Sequence, residues 1–209
     1  YVGMHHFGWI TSALVDGVEC LPEALSEDAV CKGLGVEPEI GRVTGTVPHM
    51  YFRYFFHPDR MLAKQRSASQ PRAGELQQIE NELLAAYGQY EGHDKPEAVA
   101  RRSAAWYEVV VVPVLAALAF GVPARLAVNI ANDGRIDALP DDTIIEITAD
   151  IAEGQIRAAK PRRLPPPSML GMLQANAAYE QVLVDAIVND SADLLLQALL
   201  MNPLVPSYD

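Results

Sequence analysis

With 209 residues, half of them apolar and 21% charged, the chain is long enough to bury one sizeable core. Its formal net charge of −11 argues against a nucleic-acid partner, since phosphate binding calls for a basic excess, and reads first as a source of solubility. No run reaches the roughly 18 uninterrupted apolar residues of a membrane span; the longest candidate, 106–122, contains Glu108 and Pro113 and reads instead as a buried helix.

Nothing at the start reads as a signal peptide. Gly-Met-His-His-Phe-Gly-Trp (3–9) carries the dipeptide His5-His6 before any domain has had room to form. Residues 6–20 alternate loosely around Asp16-Gly17, a dipeptide that suits the positive φ angles of a tight turn and predicts a hairpin. Cys20 and Cys31 lack CxxC or zinc-finger spacing and read as reduced thiols of a cytoplasmic protein. A short helix is predicted over 22–34, then a loop punctuated by Gly and Pro as far as Pro48.

Aromatic and apolar positions recur at helical spacing over 49–66, beginning with the tyrosine-dense Tyr51-Phe-Arg-Tyr-Phe-Phe. Residues 72–87 predict an amphipathic helix with Leu76, Ile79, Leu83, Leu84 and Tyr87 on one face and Glu75, Glu80 and Glu82 elsewhere. A loop follows over 88–96. Residues 96–120 predict a largely buried helical stretch, bent or divided at Pro113, which lacks a backbone donor. Strands are predicted over 124–128 and 143–151, joined by the loop 129–140, with a turn at Gly154 and a further strand over 155–159. After a basic, proline-rich connector (162–167), Ser168 is the expected cap of a long helix to about residue 188. Ser191 is the expected cap of another to about residue 201, with Pro203 and Pro206 ending it. There is no internal repeat and no Gly-rich strand–turn–helix unit for a dinucleotide.

Taken from the residues alone, His6 is a metal ligand or a packed, hydrogen-bonded imidazole. Tyr51 is a proton-transfer group or part of a core-facing aromatic cluster with Phe52, Tyr54, Phe55 and Phe56. Arg72 is a phosphate contact or a solvated helix-start residue. Asn129 and Asn132 contact substrate or hydrogen-bond the backbone of their own loop.

The order Gly-x-x-His-x-x-Trp (3–9), Tyr-Phe-Arg-Tyr (51–54), Val-Asn-x-x-Asn-x-Gly-x-Ile-x-x-Leu-Pro-Asp-Asp (128–142) and Ala-Leu-Leu-Met-Asn-Pro-Leu-Val-Pro (198–206) resembles the family-four glycoside hydrolases. These are NAD- and manganese-dependent glycosidases, and the branch most resembled is the 6-phospho-β-glucosidases. Each motif alone is weak; four in the right order are specific. The resemblance covers essentially the whole chain but only the later part of the family's length.

It implies that residues 1–209 form one C-terminal catalytic and substrate-binding domain. The fold it implies is α+β, a mostly helical substrate and dimerisation domain with a small antiparallel sheet, like the C-terminal domain of lactate dehydrogenase. The N-terminal Rossmann domain, which carries NAD and a cysteine metal ligand, is absent. Cys20 and Cys31 follow the histidine motif, whereas that cysteine precedes it.

The implied roles follow residue by residue. His6 stands at the family's metal-binding histidine, and neutral imidazole suits Mn²⁺-like ions completed by thiolate, carboxylate or substrate oxygens. His5 stands where the family usually has asparagine, at a substrate contact. Tyr51 matches the proposed catalytic base; a phenol needs nearby positive charge, from a divalent metal or Arg53, to act near neutral pH. Arg72 falls where the family grips the sugar 6-phosphate, a task suited to guanidinium at a helix start. Asn129 would meet substrate. Arg101, Arg102 and Ser103 depart from the family's Gly-Gly-rich helix entry, which implies an altered pocket or a diverged substrate.

No convincing pair of flanking carboxylates is present, and the family is an exception to that plan. The implied reaction is oxidation at sugar C3 with NAD as hydride acceptor, removal of the C2 proton by Tyr51, and loss of the aglycone from C1. The implied partners are a phosphorylated sugar glycoside, the chain's own N-terminal Rossmann domain and a second copy of the chain. NAD and Mn²⁺ would serve the full-length enzyme, and this fragment would bind neither tightly and be inactive alone. Rival readings are another family-four glycosidase (α-glucosidase, α-galactosidase or glucuronidase), or a diverged non-catalytic dimerisation or ligand-sensing module.

Overall fold

The computed structural model describes residues 1–89, 91–92, 94–102, 106–205 and 208. Ser103 and Pro206, which the sequence reading used, lie outside them. The chain divides into two compact units, one of Tyr1–Pro58, Arg125–Asp150 and Arg157–Asp209, the other of Asp59–Ala124 and Ile151–Ile156.

The first unit begins with a hairpin. β1 (Val2–Met4) and β2 (Phe7–Ile10) pair antiparallel, with Gly3 opposite Gly8 and Met4 opposite Phe7. Between them His5 and His6 have φ of 48° and 61°. Two successive left-handed residues make the tight turn whose twist matches its strands, and histidine is among the few side chains that tolerate it. The predicted Asp16-Gly17 hairpin follows as β3 (Leu14–Val15) and β4 (Val18–Glu19), with positive φ at both turn residues.

Then come β5 (Val47–Pro48), β6 (Ala124–Ala131), β7 (Ile144–Ala152) and β8 (Gln155–Arg157), the last two joined through a turn at Glu153-Gly154. The sheet runs β5-β2-β1-β7-β6, with β8 also on β7 and antiparallel registers for β2 on β5 and β1 on β7. The described residues contain no Rossmann unit.

Glycine is required at the β1–β2 pair. A Cβ on Gly8 would lie 2.5 Å from the Tyr1 hydroxyl and 2.6 Å from the Gly3 Cα. Gly8→Ala is therefore expected to destabilise the chain by about 1–3 kcal/mol through overpacking, measured as a lower urea midpoint. Gly33→Ala is the control: there an added Cβ meets nothing, and the helix should hold or gain stability.

The helix predicted over 22–34 is two, α1 (Leu21–Ser26) and α2 (Asp28–Leu34), separated by extended backbone at Glu27; α3 (Pro38–Thr44) occupies the expected loop. The helical stretch predicted over 49–66 divides into α4 (Phe52–Phe56) and α5 (Pro58–Arg66). Pro58 is the cause: it drives His57 out of the α region, to φ −134°. Phe52 is fully buried and packs with Phe7 and Trp9, while Phe55 and Phe56 flank it at the same core. A second cluster joins Leu21, Leu25, Cys31 and Val47; both cysteines are free.

The second unit holds most of α5, then α6 (Arg72–Gly88), α7 (Glu97–Arg102), a π-helical turn (Tyr107–Val111) and α8 (Val112–Phe120). Pro113 marks the junction, as expected. It cannot donate a hydrogen bond, and the widened turn lies just ahead of it. The predicted burial of 96–120 is corrected. Ala117 is fully buried, but Trp106, Tyr107, Val109, Val112, Leu115 and Phe120 are exposed. A helix packs along one stripe, and within this unit the other apolar side of the segment stays uncovered. In α6, likewise, Ile79 is buried whereas Leu84 and Tyr87 are exposed.

Back in the first unit, α9 (Pro167–Val188) starts one residue before the expected cap. Pro166 precedes it and no side chain caps it; Pro167 fits the first turn because its missing N–H has no partner there anyway. Ser191 does cap α10 (Ala192–Met201), accepting from the Leu194 N–H at 3.3 Å.

Candidate active site

The site is built around the His5-His6 turn. Glu146 reaches it from β7, which pairs with β1 (Val2 opposite Ile147, Gly3 opposite Glu146). Glu146 is 8% exposed, a nearly buried carboxylate between Ile145 and Ile147 of the strand. Its Oε2 accepts from the His6 backbone N–H at 3.0 Å and from the Tyr1 hydroxyl at 3.2 Å. Its Oε1 stands 3.3 Å from His6 Nδ1. Burial, then the neighbouring Glu146 charge and hydrogen bond, push the Tyr1 phenol up, so it stays a proton donor to the carboxylate.

The His6 ring is also held by aromatics. His49 stacks on it, with centroids 5.2 Å apart and planes 16° from parallel, and Tyr51 meets it edge-on at 5.6 Å. His49 follows β5 and is anchored by its N–H to the Gly8 carbonyl. Its Nδ1 accepts from the Tyr51 backbone N–H at 3.2 Å, just where α4 begins. Burial first, then the neighbouring His6 and Arg53 side chains, hold the His49 imidazole below its ordinary range against the opposing pull of Glu146. The guanidinium of Arg53 lies over the Tyr54 ring at 5.1 Å.

These groups open onto a pocket of about 400 Å³, within the usual size of ligand sites. His5, His6, Tyr51 and Tyr54 line one side; Asn176, Tyr179 and Glu180 of α9 line the other, with Asn202 to Leu204 beyond α10. His5 Nε2 approaches Glu180 at 3.5 Å, and Asn176 donates to the same carboxylate at 2.8 Å. Burial raises the Glu180 carboxyl, His5 and Asn176 oppose that, and Glu146 adds to it.

The structure thus brings His5, His6 and Tyr51 together. Asn129 lies within β6, exposed, rather than in the loop expected for it, and is not one of the pocket's lining residues. Arg72 opens α6 in the second unit and pairs with Glu75 at 2.6 Å. In the same unit Arg101 pairs with Glu82. Asn132 has the structural role weighed for it. Fully buried, it donates to the carbonyls of Ile136, Leu139 and Pro140 and accepts from the Ile136 N–H.

Sequence reasoning missed Glu146, His49, Asn176 and Glu180. Glu146 alone left a trace, as the single charge in Ile144-Ile-Glu-Ile147. Among the described residues no group of three or more His, Cys, Asp or Glu is arranged to hold a metal. The cluster offers one imidazole backed by a carboxylate, with a phenol beside it.

The profile of the family described as "Family 4 glycosyl hydrolase C-terminal domain" matches residues 1–205. A probable 6-phospho-beta-glucosidase of Bacillus subtilis (strain 168) is 27% identical over 219 residues, covering 99% of this chain and 49% of the relative. A 6-phospho-beta-glucosidase of Thermotoga maritima is 26% identical over 214 residues, covering 100% of this chain and 50% of the relative. The chain thus spans about half the length of the curated relatives it matches.

Among solved structures, the Thermotoga maritima 6-phospho-beta glucosidase with manganese, NAD+ and glucose-6-phosphate superposes with a TM-score of 0.85 at 24% identity, over 99% of this chain and 49% of that one. A 6-phospho-alpha-glucosidase from gut microorganisms, in complex with NAD and Mn2+, gives a TM-score of 0.73 at 21% identity, over 98% of this chain and 50% of that one. At these identities the likeness is one of fold, and it agrees with the α+β architecture expected from the sequence.

Proposed function

The chain belongs to the family 4 glycosyl hydrolase C-terminal domains, and on that premise we propose that it is the substrate half of an NAD- and divalent-metal-dependent hydrolase of 6-phospho-β-glucosides. The observation that carries this reading is the meeting of His6 and Tyr51, ring centroids 5.6 Å apart, on one pocket of ligand size. The curated relatives named 6-phospho-beta-glucosidase, and the neighbour solved with glucose-6-phosphate, favour a phosphorylated sugar.

The donors present fit half of a metal site. In our reading His6 offers Nε2 to the cation, with Nδ1 beside the Glu146 carboxylate. The remaining donors come from the sugar hydroxyls and from a cysteine of the N-terminal half. When bound, Mn²⁺ supplies positive charge next to the oxygens on which negative charge develops. Tyr51 takes the proton from sugar C2 as general base. Arg72 grips the 6-phosphate; His5 contacts the sugar, a role the pocket's lining does not extend to Asn129.

Among the described residues there is no cradle for a dinucleotide, so NAD is assigned to an N-terminal Rossmann domain. The functional unit is residues 1–209 with that domain, working as a homo-oligomer in the cytoplasm. The exposed apolar side of 106–120 suits a subunit contact, and two free cysteines suit a reducing compartment.

A change of sugar within the family is the second reading. It is favoured by His5, whose imidazole faces Glu180 where the family has asparagine. Assays of the full-length protein with NAD and Mn²⁺ on nitrophenyl glycosides separate the two. Hydrolysis of the 6-phospho-β-glucoside, with unphosphorylated, α-, galacto- and glucurono-substrates turned over far more slowly, is expected. Preference for any of the others overturns the proposed substrate, and turnover of none favours a non-catalytic module.

A further inference from the structure

We propose that Glu146 is a positioning residue that fixes the tautomer of His6, keeping a proton on Nδ1 and the lone pair on Nε2. The inference rests on the reading of His6 as a metal ligand, and it names the group that prepares His6 for that task.

The geometry leaves the carboxylate little choice. Oε2 is already engaged by two donors, the His6 backbone N–H at 3.0 Å and the Tyr1 hydroxyl at 3.2 Å. Both hold the side chain in one orientation, and that orientation directs Oε1 to within 3.3 Å of His6 Nδ1. Opposite a carboxylate oxygen at that distance, a protonated Nδ1 is attracted and an Nδ1 lone pair is repelled. Glu146 is nearly buried while the His6 ring is largely exposed, so the preference is partly screened by solvent but keeps its sign. A free imidazole has no such constraint.

The remaining contacts fix the ring rather than its protons. His49 stacks on the face and Tyr51 abuts the edge, and the left-handed backbone of the turn sets where the side chain starts. Ligand histidines commonly give their second ring N–H to a carboxylate, and loss of such an outer partner costs roughly 10–100-fold in metal affinity. Here one carboxylate accepts from the backbone of a histidine and stands 3.3 Å from the ring nitrogen of the same residue.

Glu146→Gln makes the idea testable, because its outcome follows from donor and acceptor counting. The His6 backbone N–H can only donate, so the amide oxygen must face it. The amide NH₂ then faces Nδ1, which must accept, and the ring proton moves to Nε2. The test is nitrogen NMR of the 209-residue chain with labelled histidine and no metal, above the titration range of imidazole; the five histidines are told apart with a His6→Asn variant.

The expected result is Nδ1–H at His6 in the wild type, the same in Glu146→Asp, and Nε2–H in Glu146→Gln. An Nε2–H tautomer in the wild type overturns the proposal whether or not the variants fold, as does an unchanged tautomer in a folded Glu146→Gln. Mn²⁺ titration of the full-length protein by electron paramagnetic resonance is the second arm, with a roughly 10–100-fold loss expected for Glu146→Gln. If His6→Asn leaves Mn²⁺ affinity unchanged, the ligand reading fails while the metal-free tautomer result still stands.

Discussion

Tyr51→Phe in the full-length protein is expected to lower kcat by about 10²–10⁴-fold, the usual worth of a positioned general base, and to stop exchange of the substrate C2 proton with solvent. The fold should not change. Tyr51 is 43% exposed, and its ring contacts with His6, His49 and Tyr54 are made by the aromatic carbons, which phenylalanine keeps. Its backbone bond to His49 Nδ1 is indifferent to the side chain. KM should therefore move little while kcat falls, the signature of a group used in the transition state rather than in binding. Undiminished C2 exchange would place the base elsewhere. Tyr54 would then be the first candidate, because it lines the same pocket and carries the Arg53 guanidinium over its ring.

How much of this was legible beforehand depended on the range of the forces involved. The Asp16-Gly17 turn, the strands of β6 and β7, the Ser191 cap and the junction at Pro113 are decided by neighbours in the chain, and the sequence displays them. The hairpin at His5-His6 is equally local, but histidine is an uncommon turn residue, and the clue was the glycine pair on either side. A Cβ on Gly3 or Gly8 would run into the backbone of the other, and one on Gly8 would also meet the Tyr1 hydroxyl. The helix break at Pro58 was readable from proline's effect on the residue before it, yet the aromatic spacing over 49–66 hid it.

The site divides in the same way. His6 and Tyr51 were found through short motifs. The carboxylates around the turn arrive from far along the chain, Glu146 against His6 by pairing of β7 with β1 and Glu180 against His5 from the middle of α9. Nothing in local spacing marks such a meeting. Burial of 96–120 failed for a related reason: an apolar helix specifies that something should cover it, not that the covering lies in the same unit.

His6 variants should produce the largest change in metal affinity, exceeding the roughly 10–100-fold expected for loss of an outer partner. The choice of substitution matters. His6 has φ of 61°, where alanine is strained and asparagine is tolerated. His6→Ala therefore mixes loss of the ligand with loss of the turn, and a lowered melting temperature would accompany it. His6→Asn keeps the turn, and its amide is a far weaker donor to a divalent ion than imidazole. It should retain the wild-type melting temperature and NAD affinity while Mn²⁺ binding collapses. The ordering His6→Asn weaker than Glu146→Gln, and both weaker than wild type, is what a ligand with a carboxylate behind it requires. Equal losses would mean that Glu146 reaches the cation itself, and no loss in either would remove the turn from the metal site. A melting temperature that fell in step with affinity would make the histidine a structural residue of the hairpin, held by the same carboxylate for stability alone.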